Sequence, residues 1–471
     1  MSKNFKVLLI NPPYPYQLYT TTRDVHEAME RKPPLGILSI GTYLKENTGF
    51  EVRLLDNQLE AFKDDEVARL IQEYQPDVVG ITVVSFKLYS AYRLTQIVKG
   101  CLSSVHVCWG GPHVSIFPKE SLHLPGVDSI VIGDGEIPFA LLCQKISEGK
   151  KIEDIPGLYS IENEQSNYDQ FYNYVHPNLN ELPIPDITLL PYKKYRAYLT
   201  NNLMTTAITS RGCPYHCIFC KLDFNKIRLL SIEKVVQIIE SYIDLGIREI
   251  EFYDETFNLS TQRVMDFANC VMSKGLKFKW SFRGRLDAVN AEMLYLIKKA
   301  GCQRIQFGVE AGTNRILKIL KKETTVDMIK ECFRLTNQTK IDTVAYFILG
   351  NPGETLEEME QTIRLAKEIS PTYLEYAIFN ISPGTESYKM ALEQGIIKKD
   401  YWREYACNPD ENMPILVWAK DYTYRQLEEI RQKALRDFYL RANYIINRLI
   451  HIRPRESFQI FKEGFRMLVG Q

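Results

Sequence analysis

Short apolar runs alternate with amphipathic segments twice along this chain, and that alternation confines it to parallel sheets covered by helices. In the first third, strand-like runs cover 5–10, 51–55, 77–84, 105–109 and 128–132, with helix-like segments near 35–45, 65–74, 88–99 and 136–147. From residue 203 the pattern resumes. Strands are predicted over 204–209, 249–253, 278–282, 304–309, 343–349 and 373–380, with helices near 231–245, 260–274, 290–300, 325–338 and 356–369. Six strands joined by crossover helices predict a partial (β/α)6 TIM-like barrel, whose chemistry belongs at the carboxyl ends of its strands. The expected α/β architecture is a Rossmann-like parallel-sheet domain over 1–150, a linker over 151–200, the barrel over 201–390 and a helical C-terminal cap over 391–471. The linker carries Pro156, Pro177, Pro183, Pro185 and Pro191 and has no sustained periodicity.

Bulk charge narrows the class of function. Lys+Arg equals Asp+Glu at 58 each in 471 residues, which argues against nucleic-acid binding through net charge. The sequence has no signal-like apolar region and no run long enough to span a bilayer, so a cytoplasmic location is expected.

Three of the ten cysteines fall within eight residues, as Cys213-x3-Cys217-x2-Cys220 just after the strand at 204–209. Grouped thiolates bind soft metal, and a local set of three leaves one ligand unaccounted for. A closed zinc site would want a fourth protein ligand, and His216 adjoins Cys217 instead of being spaced from it. A cluster held by three cysteines leaves one iron open for substrate. Cys101, Cys108, Cys143, Cys270, Cys302, Cys332 and Cys407 are scattered and read as small buried hydrophobes in a reducing compartment.

Each later barrel strand also ends in polar residues: Asp254-Glu255-Thr256, Arg283-Gly284-Arg285, Gly308-Val309-Glu310, Gly350-Asn351-Pro352-Gly353-Glu354 and Ser382-Pro383-Gly384. One such end is an ordinary helix cap. Five at the mouth that holds the cysteines point to a binding site. In the N-terminal third, Gly110-Gly111-Pro112-His113 and Gly133-Asp134-Gly135-Glu136 follow strands, where glycine lets backbone approach a nucleotide closely; ordinary tight turns are the plainer reading. Asp24-Val25-His26 pairs a histidine with a nearby acid, as a cobalt ligand would require. The cobalamin pattern Asp-x-His-x-x-Gly ends here in Met29, which favours a loop histidine. His113 is a separate candidate.

The cysteine motif, with Phe219 before its last cysteine, resembles that of radical S-adenosylmethionine enzymes. The segments Pro33-Pro34-Leu35-Gly36-Ile37, Trp109-Gly110-Gly111-Pro112-His113 and Gly133-Asp134-Gly135-Glu136 are similar to motifs of the cobalamin-binding members. That group includes the anaerobic magnesium-protoporphyrin monomethyl ester oxidative cyclase and the hopanoid and phosphinate methyltransferases. The resemblance implies a 4Fe–4S cluster on Cys213, Cys217 and Cys220. S-adenosylmethionine would chelate its unique iron, and reductive cleavage would yield a 5′-deoxyadenosyl radical. It implies that Asp254 or Glu255 accepts from the methionyl ammonium, Arg285 pairs the carboxylate, Glu310 accepts from the ribose, and Phe219 and Gly350 flank the adenine. For cobalamin it implies Ser85, Gly110, Gly111, Gly133, Gly135 and Glu136.

Methylation of an unactivated carbon or phosphorus centre of a small or lipid-like substrate is the leading reading. Oxidative cyclisation without methyl transfer is the alternative, and an iron–sulfur electron-transfer or sensor module is a third. A methylthiotransferase would carry a further N-terminal cysteine trio, which has no counterpart here. The expected partner is a one-electron reductant such as flavodoxin or ferredoxin, with no nucleic acid. The C-terminal segment is helix-rich and aromatic; its resemblance to the cyclase group implies that it caps the barrel mouth. From Arg431 to Gln471 it carries nine Lys/Arg against three Asp/Glu. A basic helical face can lie on an anionic membrane, and a solvated face beside core aromatics is the plainer reading.

Overall fold

The computed structural model describes residues 5–14, 32–161, 171–197, 200–221, 226–412, 415–418 and 420–451. The chain divides into two compact units, Met1–Tyr195 with Asp400–Pro414, and Arg196–Lys399 with Ile415–Gln471.

The first unit is a six-stranded sheet in the order β2-β1-β3-β4-β5-β6. Its strands are β1 (Lys6–Asn11), β2 (Glu51–Asp56), β3 (Val78–Thr82), β4 (His106–Gly110), β5 (Ser129–Val131) and β6 (Leu158–Ser160). The apolar run Val7-Leu8-Leu9-Ile10 is fully buried because β1 lies inside the sheet with helices on both faces. The first five strands are parallel, whereas β6 pairs antiparallel with β5 through Ile130 and Tyr159. Alternation could not reveal β6: three residues inside the proline-rich stretch carry no period.

Helix Tyr401–Cys407 also belongs to this unit. Its Trp402 is fully buried with Phe86 edge-on at 5.5 Å, and Arg403 reaches Glu120 at 3.4 Å. Part of the expected barrel cap is therefore core of the first unit.

The second unit holds six parallel strands in the order β14-β13-β12-β11-β10-β7. They are β7 (Met204–Ala207), β10 (Glu249–Phe252), β11 (Lys279–Gly284), β12 (Cys302–Glu310), β13 (Asp342–Leu349) and β14 (Tyr373–Ile378). A small antiparallel ladder of β8 (Ser210–Arg211) and β9 (Arg228–Leu229) follows β7. Period-two alternation sends Ile250, Phe252, Trp280, Phe282, Ile305, Phe307 and Phe347 into the buried layer. The intervening helices start on side-chain caps from Ser231, Ser260, Asn290, Thr325 and Thr355, each accepting from a first-turn amide.

Helix Tyr424–Tyr439 runs antiparallel to β14. Leu427 sits beside Gly350 at the carboxyl end of β13, while the Tyr439 hydroxyl bonds both the amide and the carbonyl of Leu374 near the start of β14. It packs against the edge strand β14 and reaches the carboxyl end of β13 at Gly350. Among the described residues no helix is long and apolar enough to cross a membrane.

Candidate active site

The cysteine loop leaves β7 through Thr209 and Ser210, and Asp254 at the end of β10 holds that exit. Its Oδ1 accepts from the Thr209 amide (2.9 Å), the Thr209 hydroxyl (2.9 Å) and the Ser210 hydroxyl (2.5 Å). Its Oδ2 is buried with no partner among the described residues. Burial outweighs those bonds and raises the carboxyl to about 6. Asp254 therefore braces the loop from beneath through Oδ1. Glu255 is exposed and near enough for its charge to reach Cys220.

Gly212, at φ +96°, turns the chain into the motif. Buried Ile218 pins its middle: its amide donates to the Leu320 carbonyl (3.2 Å) and its carbonyl accepts from the Ser387 amide (2.9 Å). Cys213 Sγ lies 3.7 Å from Thr256 Oγ1, Cys217 Sγ lies 3.8 Å from the Lys321 carbonyl, and the Cys220 amide donates to the Cys217 carbonyl. Burial and the neighbouring Cys217 and Cys213 push the Cys220 thiol up to about 11, and burial raises Cys217 as well. Bare thiols crowded this way resist ionising, and bound iron would supply the missing positive charge. Among the described residues no three His, Cys, Asp or Glu side chains converge on one metal ion. Ligands to separate irons of a cluster need no such common point. His216 is exposed and takes no part.

Arg285 and Glu310 both lie close enough for their charges to reach Cys217. Arg285 is committed to Asp287 through Nε (2.9 Å) and Nη2 (2.8 Å), lies 3.5 Å over the Tyr215 ring, and donates from Nη2 to the Lys322 carbonyl. Its fork is spent on Asp287, so it supports the loop and does not present a bidentate clamp to a carboxylate. Glu310, at φ +69° after a register shift in β12, bonds Lys322 Nζ at 2.7 Å. Gly308 makes room for that pair, because a Cβ there would lie 2.2 Å from Glu310 Oε1 and 2.8 Å from Lys322 Nζ. Phe219 is half-buried on the cysteine loop. Gly350, at φ +74°, begins a turn in which Glu354 Oε2 accepts from the Asn351 amide (2.9 Å) and Nδ2 (3.0 Å). Glu354 Oε1 and Asn351 Oδ1 are buried with no partner among the described residues, and burial lifts Glu354 to about 7. The supporting roles of Ile218 and Lys322 were not legible in sequence, where they look like loop filler and a surface charge.

The inner face of the barrel is polar. Gln306 Nε2 donates to Glu251 (3.0 Å), the Tyr346 hydroxyl donates to Gln306 Oε1 (2.8 Å), and the charges of Glu375, Arg283 and Glu251 all reach Tyr346. Arg283 stacks on Tyr253 at 3.9 Å and bonds its hydroxyl. A separate pocket of 540 Å³ near Arg248, Phe278 and Gly301 lies at the amino ends of the strands, away from this chemistry.

In the first unit, ligands belong at the switch point between β1 and β3. Beside it, Gly111 at φ +98° crosses within 2.9 Å of the Val83 carbonyl at its would-be Cβ, and Gly110 faces open space apart from an ordinary contact. Ser85 Oγ lies 3.0 Å from Nδ1 of fully buried His113, whose Nε2 has no partner among the described residues. Burial holds that imidazole neutral, with its pKa down to about 3. An orphaned buried nitrogen behind a glycine floor fits a cleft that takes a polar ligand, with Ser85, Gly110 and Gly111 available to cobalamin. The other turn is occupied by its own chain: Gly133 admits Tyr174, Gly135 admits Ile40, and Glu136 accepts from Ser39 at 2.6 Å. Asp24-Val25-His26 lies outside the described residues.

Profile comparison matches residues 207–366 to the Radical SAM superfamily and 25–142 to the B12 binding domain. An uncharacterized methyltransferase of Pyrococcus horikoshii is 31% identical over 449 residues, covering 94% of each chain. The chain belongs to the radical S-adenosylmethionine enzymes that carry a B12-binding domain. The anaerobic magnesium-protoporphyrin IX monomethyl ester cyclase of Rubrivivax gelatinosus is 26% identical, over 76% of this chain and 66% of the cyclase. The cobalamin-dependent S-adenosylmethionine radical enzyme OxsB, solved with aqua-cobalamin and S-adenosylmethionine, shares the fold at TM-score 0.73 and 19% identity, over 98% of this chain and 72% of that one. Enzymes of this family use a 4Fe–4S cluster, S-adenosylmethionine and cobalamin.

Proposed function

We propose that the protein is a cobalamin-dependent radical S-adenosylmethionine methyltransferase acting on a small polar molecule. The hydrogen-bonded lumen of Glu251, Gln306 and Tyr346 carries the substrate part of this reading. Buried polar groups reject a ligand that cannot replace their bonds, so they favour a substrate with hydroxyl, amide or charged groups over a lipid. Methyl transfer is favoured because the Pyrococcus horikoshii methyltransferase is 31% identical over 94% of both chains, whereas the Rubrivivax gelatinosus cyclase is 26% identical over 76% of this chain.

When bound, the cluster delivers one electron to S-adenosylmethionine and cobalamin carries the methyl group. The chain's own residues do the rest. Cys213, Cys217 and Cys220 hold iron, with Asp254 and Ile218 fixing their loop. Glu255 accepts from the methionyl ammonium, Glu310 from the ribose hydroxyls, and Phe219 and the Gly350 turn flank the adenine. Ser85, Gly110 and Gly111 hold the corrin ligand. A flavodoxin- or ferredoxin-type protein supplies the electron.

The test is anaerobic reconstitution with candidate polar substrates and quantification of products. Methyl transfer predicts S-adenosylhomocysteine and 5′-deoxyadenosine together with methylated substrate. Deoxyadenosine without S-adenosylhomocysteine would instead establish the oxidative reading, and turnover of lipid alone would refute the polar lumen as the substrate site.

A further inference from the structure

Four independent contacts converge on the short turn Leu320-Lys321-Lys322-Glu323. The Leu320 carbonyl holds the Ile218 amide, and the Lys321 carbonyl lies 3.8 Å from Cys217 Sγ. The Lys322 carbonyl accepts from Arg285, and Lys322 Nζ bonds Glu310 at 2.7 Å. Lys321 and Glu323 both sit in the left-handed region, at φ 52° and 57°, without being glycine. Strain of that kind persists where the surroundings over-determine it, and here it directs Lys322 inward between two outward neighbours. The Lys322 side chain is 12% exposed and Glu310 is 9% exposed, whereas Lys321 turns out to pair with Glu386. The charged groups whose fields reach the Lys322 ammonium most strongly are Glu310, Cys217 and Arg285. A hydrated surface lysine would need none of this, nor the side-chain vacancy at Gly308 that admits the pair.

We propose that Lys322 and Glu310 form a charge pair that sets the reduction potential of the cluster on Cys213, Cys217 and Cys220. This rests on the cluster assignment made above. Reduction adds one electron, supplied by an external one-electron protein donor, to a group already carrying three thiolates. A sheltered ammonium beside it favours the reduced form, and a carboxylate disfavours it, because low dielectric leaves both charges weakly screened. Lys322 is a positioning residue: it acts on the cluster through its field and holds Glu310 in place.

The pair predicts opposite signs for its two halves. Wild type, Lys322→Met, Glu310→Gln and the double variant are reconstituted anaerobically without S-adenosylmethionine. Iron content and the electron paramagnetic resonance of the reduced cluster are measured, followed by potentiometric titration. Lys322→Met lowers the midpoint and Glu310→Gln raises it, each by at least a tenfold change in the reduced-to-oxidised ratio, 59 mV for one electron. The double variant returns toward wild type. Shifts of the same sign, or single variants both within that window, overturn the proposal, since a merely structural role would not move the two in opposite directions. Should Lys322→Met fail to take up iron, Glu310→Gln alone decides by whether its midpoint rises. A wild-type protein that takes up no cluster would instead sink the functional reading on which this one stands.

Discussion

Replacing Asp254 with asparagine tests how the cysteine loop is held. The carboxyl is raised from 3.8 to about 6 because full burial outweighs three donated bonds. Between those values the folded chain keeps a proton that the unfolded chain has released. The stability contributed by this carboxyl is therefore full below about pH 3.8, falls as pH rises through the window and is gone above about pH 6. At 1.36 kcal/mol for each tenfold in proton affinity, the loss is about 3 kcal/mol. Asparagine keeps an oxygen for Thr209 and Ser210 but carries no charge, so the variant lacks this contribution to the slope. Alanine removes the acceptor and strands the buried Thr209 amide, costing roughly 1–3 kcal/mol at any pH. The assay is denaturant unfolding of iron-free protein from pH 4 to pH 8, with hydrogen exchange of the 205–211 peptide as a local reading. Wild-type and Asp254→Asn curves that run parallel through pH 4–6 would refute the argument.

Glu354→Gln removes a second pH dependence. Glu354 is raised from 4.5 to about 7, so wild-type stability also falls between those pH values, and the variant lacks that slope in the same unfolding series. Gly308→Ala drives a methyl group into Glu310 Oε1 and separates the acid from Lys322; S-adenosylmethionine affinity, read by equilibrium dialysis of the reconstituted protein, falls about tenfold, roughly 1.4 kcal/mol. Gly111→Ala must hold φ near +98° against the Val83 carbonyl, costing roughly 1–3 kcal/mol and removing the corrin absorbance from protein purified after growth with cobalamin. Gly133→Ala displaces the Tyr174 backbone instead and lowers stability of the same unit, with corrin absorbance per folded molecule unchanged.

Local pattern determined much of this protein. The strands carrying Ile250, Phe252, Phe282 and Phe307 are legible because a half-buried strand must alternate, and the helices between them because each opens on a Ser, Thr or Asn cap. The Cys213-Cys217-Cys220 spacing is equally local, since three thiolates on one short loop announce their chemistry without any partner from elsewhere. Tertiary structure decided what each charged residue at the strand ends is for. Asp254 and Glu255 are adjacent in sequence, yet the pleat buries one under Thr209 and turns the other to solvent. Arg285 looks free to bind a carboxylate until Asp287 is found in its fork, and Lys322 looks like any surface lysine until the bulge after Gly308 turns Glu310 toward it. Such pairings depend on left-handed backbone at Glu310, Lys321 and Glu323, where no glycine marks the turn. Sequence records the charges; only the fold brings each one to its partner.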